Sequence, residues 1–204
     1  MVTDDFLNNE VCVKFKRELS IKLFLNKNPI FVSDNYSMDD DPTTHNRKSI
    51  RLKGYDYSQA GAYFITTNIK NPYQALSRIV DDRIELSNLG KIVLNAWNGL
   101  PEHYCQVDLD EFIVMPDHIH GILFLREYRK PCPVSEIVRN FKTYSAKEIN
   151  AITGQTGNSF WQRNYFEHVI RDDMDLNRIR QYIQENPLKW KDGKGDISPL
   201  SYYK

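Results

Sequence analysis

The stretch from residue 112 to 125, FIVMPDHIHGILFL, limits what this chain can fold into more than any other part of it. Two apolar runs rich in β-branched and aromatic side chains, FIVM and GILFL, surround the polar insert PDHIH. Runs of this kind belong in strands, because branched side chains pack well on a pleated surface. The stretch reads as two paired strands or one bent central strand, and the other elements must pack around it.

Those elements follow a regular order. GAYFITTNI (61–69) has the aromatic and β-branched composition of a strand, and DDRIELS (81–87) is a short second one after the turn-like Asp81-Asp82. From 89 to 103 the apolar residues Leu89, Ile92, Val93, Ala96, Trp97 and Leu100 recur at helical spacing. A second helix is predicted over 134–152, after Pro131 and Pro133, with Ser135 as its N-cap and Gly154 and Gly157 beyond its end. FWQRNYFEHVI (160–170) is a strand candidate, and 172–185 is a third helix halted by Asn186-Pro187. Strands interleaved with helices in this order predict an α+β fold, a ferredoxin-like sandwich: one mainly antiparallel sheet with helices on one face.

Residues 1–46 differ. The stretch 11–25 mixes helical and alternating periods, and DNYSMDDDPTTHN reads as a linker. We place a boundary there: residues 1–46 form an N-terminal extension, and 47–204 form the main domain. The 27 basic and 27 acidic residues balance, but residues 1–45 hold five of the former and eight of the latter, which leaves +3 for the remainder. A surplus that small points to a nucleic-acid partner only if it is clustered. No run of about 18 apolar residues suggests a membrane span. Cys12, Cys105 and Cys132 are scattered, which fits a reducing cytoplasm and excludes a disulfide scaffold.

Two local patterns carry chemistry. His118 and His120 are two apart in a strand pattern, so both imidazoles leave one face and Ile119 enters the core on the other. Such a pair starts a divalent-metal site; the alternative is a chance spacing. Asp117 has the parity of Ile119 and is not assigned as a ligand. On the helix predicted at 134–152, Tyr144 and Glu148 share a face at i and i+4. A tyrosine, a carboxylate and two imidazoles would suit transfer of a phosphodiester. A bound cation draws charge from the phosphate, and a phenolate attacks and stays attached, conserving the bond for later rejoining. The alternative is a Tyr144 packed on the sheet beside a solvated Glu148.

Four segments in this order resemble the REP-associated tyrosine transposases, a branch of the single-tyrosine HUH transposases. They are RKSIRLKGYDYSQAGAYFIT, DEFIVMPDHIHGI, IVRNFKTYSAKEIN and FWQRNYFEHVIRDDMDLNRIRQYIQENPLKW, spanning about residues 47–190. The resemblance implies that His118 and His120 are metal ligands, Tyr144 the nucleophile and Glu148 a third ligand where relatives carry an amide. It also implies Mg²⁺ or Mn²⁺ as cofactor, single-stranded DNA with a folded hairpin as substrate, a 5′-phosphotyrosine intermediate and, as in many relatives, a homodimer.

Arg47, Lys48, Arg51 and Lys53 cluster before the first strand, followed by Tyr55 and Tyr57, and suit phosphate contact with base stacking. Arg139 and Lys142 flank the tyrosine helix. Trp161, Arg163 and Tyr165 alternate along the strand candidate and would share one face. Arg178, Arg180, Lys189 and Trp190 are weaker candidates, and His168 reads as structural. The leading expectation is a transposase that nicks and religates. Its rivals are a domesticated hairpin-binding protein without cleavage activity and a nuclease that uses water.

Overall fold

The computed structural model describes residues 51–190, Lys53 excepted, so the expected boundary near residue 46 lies outside the described residues, as do Arg47, Lys48 and Lys53. Among the described residues six strands and four helices follow one another: β1 (Gly61–Asn68), β2 (Ser77–Val80), β3 (Arg83–Leu86), α1 (Asn88–Asn98), α2 (Leu100–His103), β4 (Val107–Val114), β5 (His118–Leu125), α3 (Val134–Thr153), β6 (Phe166–Ile170) and α4 (Asp173–Lys189). Four of the strands form an antiparallel sheet in the order β4-β5-β1-β6. The two crossovers, β1 to β4 and β5 to β6, interleave as in a ferredoxin-like fold, as expected. β2 and β3 make a separate hairpin whose turn, Asp81-Asp82, has positive φ at both residues (49° and 59°). That conformation matches strand twist and favours short polar side chains.

Each departure from the predicted elements has a local cause. The helix expected over 89–103 is divided at Gly99, with Pro101 inside the second short piece. Only 166–170 of the expected strand 160–170 pairs along β1; Trp161 makes an isolated bridge to Ile69, and 162–165 is irregular. Trp161, Arg163 and Tyr165 therefore do not share a strand face. Pro187 does not stop the last helix. It lies inside α4, and the Trp190 N–H bonds back to the carbonyls of Asn186 and Pro187 to close the final turn.

The sheet is covered on both faces, not one. Tyr63, Ile65, Ile119, Leu123 and Leu125 pack with Trp97 of α1 and Ile137, Val138 and Phe141 of α3. The alternate residues Ala62, Phe64, Ile122 and Phe124 pack with Leu176, Ile179, Tyr182 and Ile183 of α4. The continuous apolar run of β5 follows from this: all eight of its residues are buried.

Gly121, directly after the histidine pair, lets Trp97 lie against the backbone of β5. A Cβ there would sit 2.5 Å from Trp97 Cζ2 and 2.8 Å from Phe112 Cδ2, whose rings stack 4.6 Å apart. Gly121→Ala is expected to lower stability by about 1–3 kcal/mol through overpacking. A fall in the urea midpoint at constant m-value would show it, and an unchanged midpoint would refute the close contact.

Candidate active site

His118 and His120 stand in β5 on the face that α4 covers, and both are fully buried. Their Nε2 atoms face each other at 3.1 Å. Both Nδ1 atoms are engaged. That of His118 meets Asp117 Oδ1 at 2.6 Å, and that of His120 meets Thr66 Oγ1 at 2.7 Å. Asp117 precedes the strand, so strand alternation does not fix its direction, and its carboxylate turns to His118. The expectation that it faces away from the pair is corrected, although it remains outside the Nε2 pocket.

A carboxylate only accepts, so the His118 Nδ1 that meets Asp117 carries a hydrogen, and Nε2 is the nitrogen left to face a cation. Burial, with the adjacent His118 as second cause, pushes the His120 imidazolium well below its usual range and holds that ring neutral. Nε2 atoms 3.1 Å apart either share a proton or flank a cation. Two nitrogens bound side by side to one ion at about 2.1 Å lie about 3.0 Å apart. The pair therefore fits a divalent cation, and Asp117 and Thr66 orient it from behind, as such partners do for metal-bound histidines. Asp117→Asn is expected to weaken Mn²⁺ binding about 10- to 100-fold by isothermal titration. Unchanged affinity would show that the Asp117 contact is incidental.

Tyr182 and Asn186 of α4 and Trp190, its C-cap, are spaced by four, and the Tyr182 and Trp190 rings close over the imidazoles. The Tyr182 phenol oxygen lies 3.3 Å from His120 Nε2, with ring centroids 5.1 Å apart. Phe64 stacks on the other side of His120 at 5.5 Å. The Trp190 ring lies 5.7 Å from that of His118. Asn186, one turn after Tyr182 and one before Trp190, is buried between them. Helical spacing puts the Asn186 carboxamide on the face of α4 from which the Tyr182 phenol reaches His120.

Tyr144 and Glu148 are elsewhere. Their helix, α3, packs on the opposite face of the sheet, so within one chain the sheet separates them from the histidines. Tyr144 is 55% exposed and lines a cavity of about 560 Å³ between α1, α2 and α3, beside Asn95, Asn98, His103 and Asn140. Among the described residues no cluster of three His, Cys, Asp or Glu side chains could hold a metal, so Glu148 does not complete the histidine pair. The geometry that would join Tyr144 and Glu148 to the imidazoles is absent within the chain.

The other predicted residues divide. Arg139, Lys142, Trp161, Arg163 and Tyr165 line one cavity of about 310 Å³ between α3 and the segment 159–165. Trp161 does so as a core residue, 3% exposed, with its indole N–H donated to Ser145 Oγ at 3.0 Å. Arg51 pairs with the buried Glu167 of β6, reaches the Tyr165 hydroxyl at 2.7 Å and lies over the Tyr57 ring. It ties the leading segment to the sheet edge. Arg180 is paired with Asp110, and Lys189 with Glu185 at 2.9 Å. His168 meets Asp175 at 2.9 Å and secures the start of α4, the structural role expected of it. Among the described residues no helix is long and apolar enough to cross a membrane.

A ferredoxin-like sheet with a His-x-His strand, closed by a helix that brings a tyrosine to the imidazoles, defines a class of α+β domain built around a candidate metal site. Comparison with known proteins adds the lineage. The chain belongs to the family described as transposase IS200 like, a family of DNA transposases whose model matches residues 92–186. An uncharacterised protein of Haemophilus influenzae is 36% identical over 169 residues, 72% of this chain and 91% of the relative. A second protein of that organism, named as a candidate REP-associated tyrosine transposase, is 27% identical over 142 residues, 66% of this chain and 74% of the relative. Among solved structures, a REP-associated tyrosine transposase bound to a REP hairpin aligns with a TM-score of 0.52 and 22% identity, over 70% of this chain and 73% of that one. That likeness is one of fold.

Proposed function

We propose that the protein nicks and rejoins single-stranded hairpin DNA in the cytoplasm, with Tyr182 as nucleophile. His118, His120 and Asn186 would hold Mg²⁺ or Mn²⁺. The observation that carries this reading is the Tyr182 phenol oxygen 3.3 Å from His120 Nε2, in a pocket formed within one chain. Tyr182 and Asn186 take the roles that the family resemblance assigned to Tyr144 and Glu148. The family match extends to residue 186 and so includes that whole turn of α4. Relatives of known structure include one bound to a REP hairpin, which supports a hairpin partner.

In the proposed reaction the Tyr182 oxygen bonds to the phosphorus as its proton leaves. The bond from phosphorus to the 3′-oxygen breaks, and that oxygen takes up a proton. A 5′-phosphotyrosine and a free 3′-hydroxyl result. Attack by a 3′-hydroxyl reverses the exchange, so the bond is moved and not spent. A cation bound at the histidines would draw charge from the non-bridging oxygens and favour the phenolate. Asn186 offers a carbonyl oxygen, a donor suited to hard divalent ions. The buried walls, Phe64 and Trp190 among them, keep water from the phosphotyrosine and so favour rejoining over hydrolysis. Trp190 and the last turn of α4 must shift for the DNA strand to reach Tyr182, which is 4% exposed.

The test is incubation of the full chain with end-labelled single-stranded hairpin DNA and Mn²⁺, read on a denaturing gel. A protein-linked strand is expected, lost with EDTA and restored by Mn²⁺. Cleavage without a protein-linked strand would favour a nuclease that uses water. Binding with no cleavage at all would favour a hairpin-binding protein.

A further inference from the structure

We infer that the cavity between α3 and the segment 159–165 receives one unpaired nucleobase of the DNA strand, with its phosphate on the rim. The inference rests on the DNA-strand reading above and names a subsite for it. The cavity, about 310 Å³, is in the size range of small-ligand pockets. Its walls are aromatic, with the buried Trp161 and the half-buried Tyr165. Its rim carries two exposed guanidiniums, Arg139 from α3 and Arg163 from the facing segment. Aromatic walls with cations at the mouth are how proteins hold single-stranded nucleic acid, because every base has a stacking face and every linkage an anionic phosphate.

Lys142 has a different task. Its ammonium donates to the carbonyls of Gln162 at 2.6 Å and Arg163 at 3.1 Å, with Asn164 at 3.4 Å, and lies 5.9 Å from the centre of the Tyr165 ring. Burial pushes its pKa down to about 8, and the carbonyls favour the charged form. It shapes the irregular segment and leaves the strand's phosphates to the two arginines.

The position of the cavity links it to the reaction. The Gln162 N–H donates to the Asn68 carbonyl at 2.9 Å, the Gln162 side chain reaches the Ile69 carbonyl at 3.3 Å, and the Lys70 N–H donates to the Phe160 carbonyl at 2.7 Å. Asn68 is the register partner of His118. The wall of the cavity is thus fixed to the end of the sheet where the histidine strand begins. A strand with one phosphate at Tyr182 passes round that end, and a nucleotide near the cut meets the cavity.

An abasic scan tests this. Hairpin oligonucleotides, each lacking one base in the single-stranded flank, are bound to the full chain and followed by fluorescence anisotropy. One flank position is expected to lose about tenfold in affinity when its base is removed. Thr143→Trp, which fills the cavity from an exposed helix position, and Arg163→Ala are each expected to weaken the intact oligonucleotide and to abolish the added penalty at that position. A flat scan, or a sensitive position that persists undiminished in Thr143→Trp, overturns the subsite. The protein-linked strand is measured on the same oligonucleotides. Adduct formation with a flat scan removes the subsite alone, and absence of any DNA binding removes the functional reading with it.

Discussion

Tyr182→Phe is expected to abolish the protein-linked DNA strand, lowering its rate of formation by roughly a thousandfold or more, and Tyr144→Phe to leave it within a few-fold of wild type. Removing a nucleophile leaves only the background reaction, so the effect is large. The substitution is also conservative for the fold. The Tyr182 ring packs edge-on to Phe64 at 6.0 Å and against His120 at 5.1 Å, and phenylalanine retains both contacts. Hairpin binding should survive. The pairing of the two variants decides between helices: Tyr144 is half exposed on α3, on the far side of the sheet from the histidines. An adduct that persists in Tyr182→Phe and disappears in Tyr144→Phe would return the nucleophile to α3. The site would then have to be completed by a second copy of the chain.

Sequence periodicity reached the elements and missed which of them meet. Each of the two long helices carries a tyrosine followed four residues later by a side chain with a carbonyl oxygen, Tyr144 with Glu148 and Tyr182 with Asn186. Spacing alone does not separate them. What does is the face of β5 from which the imidazoles project. His118 and His120 could be put on one common face from alternation, and that was legible. The identity of the face was not, because GILFL is apolar on both sides and has no polar parity to read. Topology supplies the missing fact. α1 and α3 belong to the two crossovers and cover the same face, which leaves the other, with the histidines, to the last helix. Asn186-Pro187 added to the error by resembling a helix end. The helix runs past it, and Trp190 reaches His118 only because it does. The cationic and aromatic residues around 139–165 were legible as a set. Their meeting in one cavity depends on the irregular path of 162–165, which no alternating pattern encodes.

The position of Tyr182 depends in turn on how α4 is held, and Arg180→Ala is expected to lower stability by about 3–5 kcal/mol. Arg180 meets both oxygens of Asp110, with Nε at 2.9 Å and the terminal nitrogen at 2.5 Å. The Asp110 side chain is only 8% exposed and that of Arg180 22%. A bulge between Leu109 and Phe112 inserts an extra residue into β4 and gives Asp110 its place outside the regular ladder. Removing the guanidinium leaves a buried carboxylate with the Glu111 N–H, 2.7 Å from Oδ1, and no paired cation, whereas a double change to Arg180→Met and Asp110→Leu removes both charges and should recover most of the loss. Urea denaturation of the two variants measures the difference. Tyr182 lies two positions beyond Arg180, so a helix loosened there also releases the phenol from His120. Arg180→Ala should therefore slow adduct formation even at temperatures where the protein stays folded, and the double variant should restore it. A loss below about 1 kcal/mol, the range of exposed pairs, would mean that the apolar face of α4 holds the helix without this bridge.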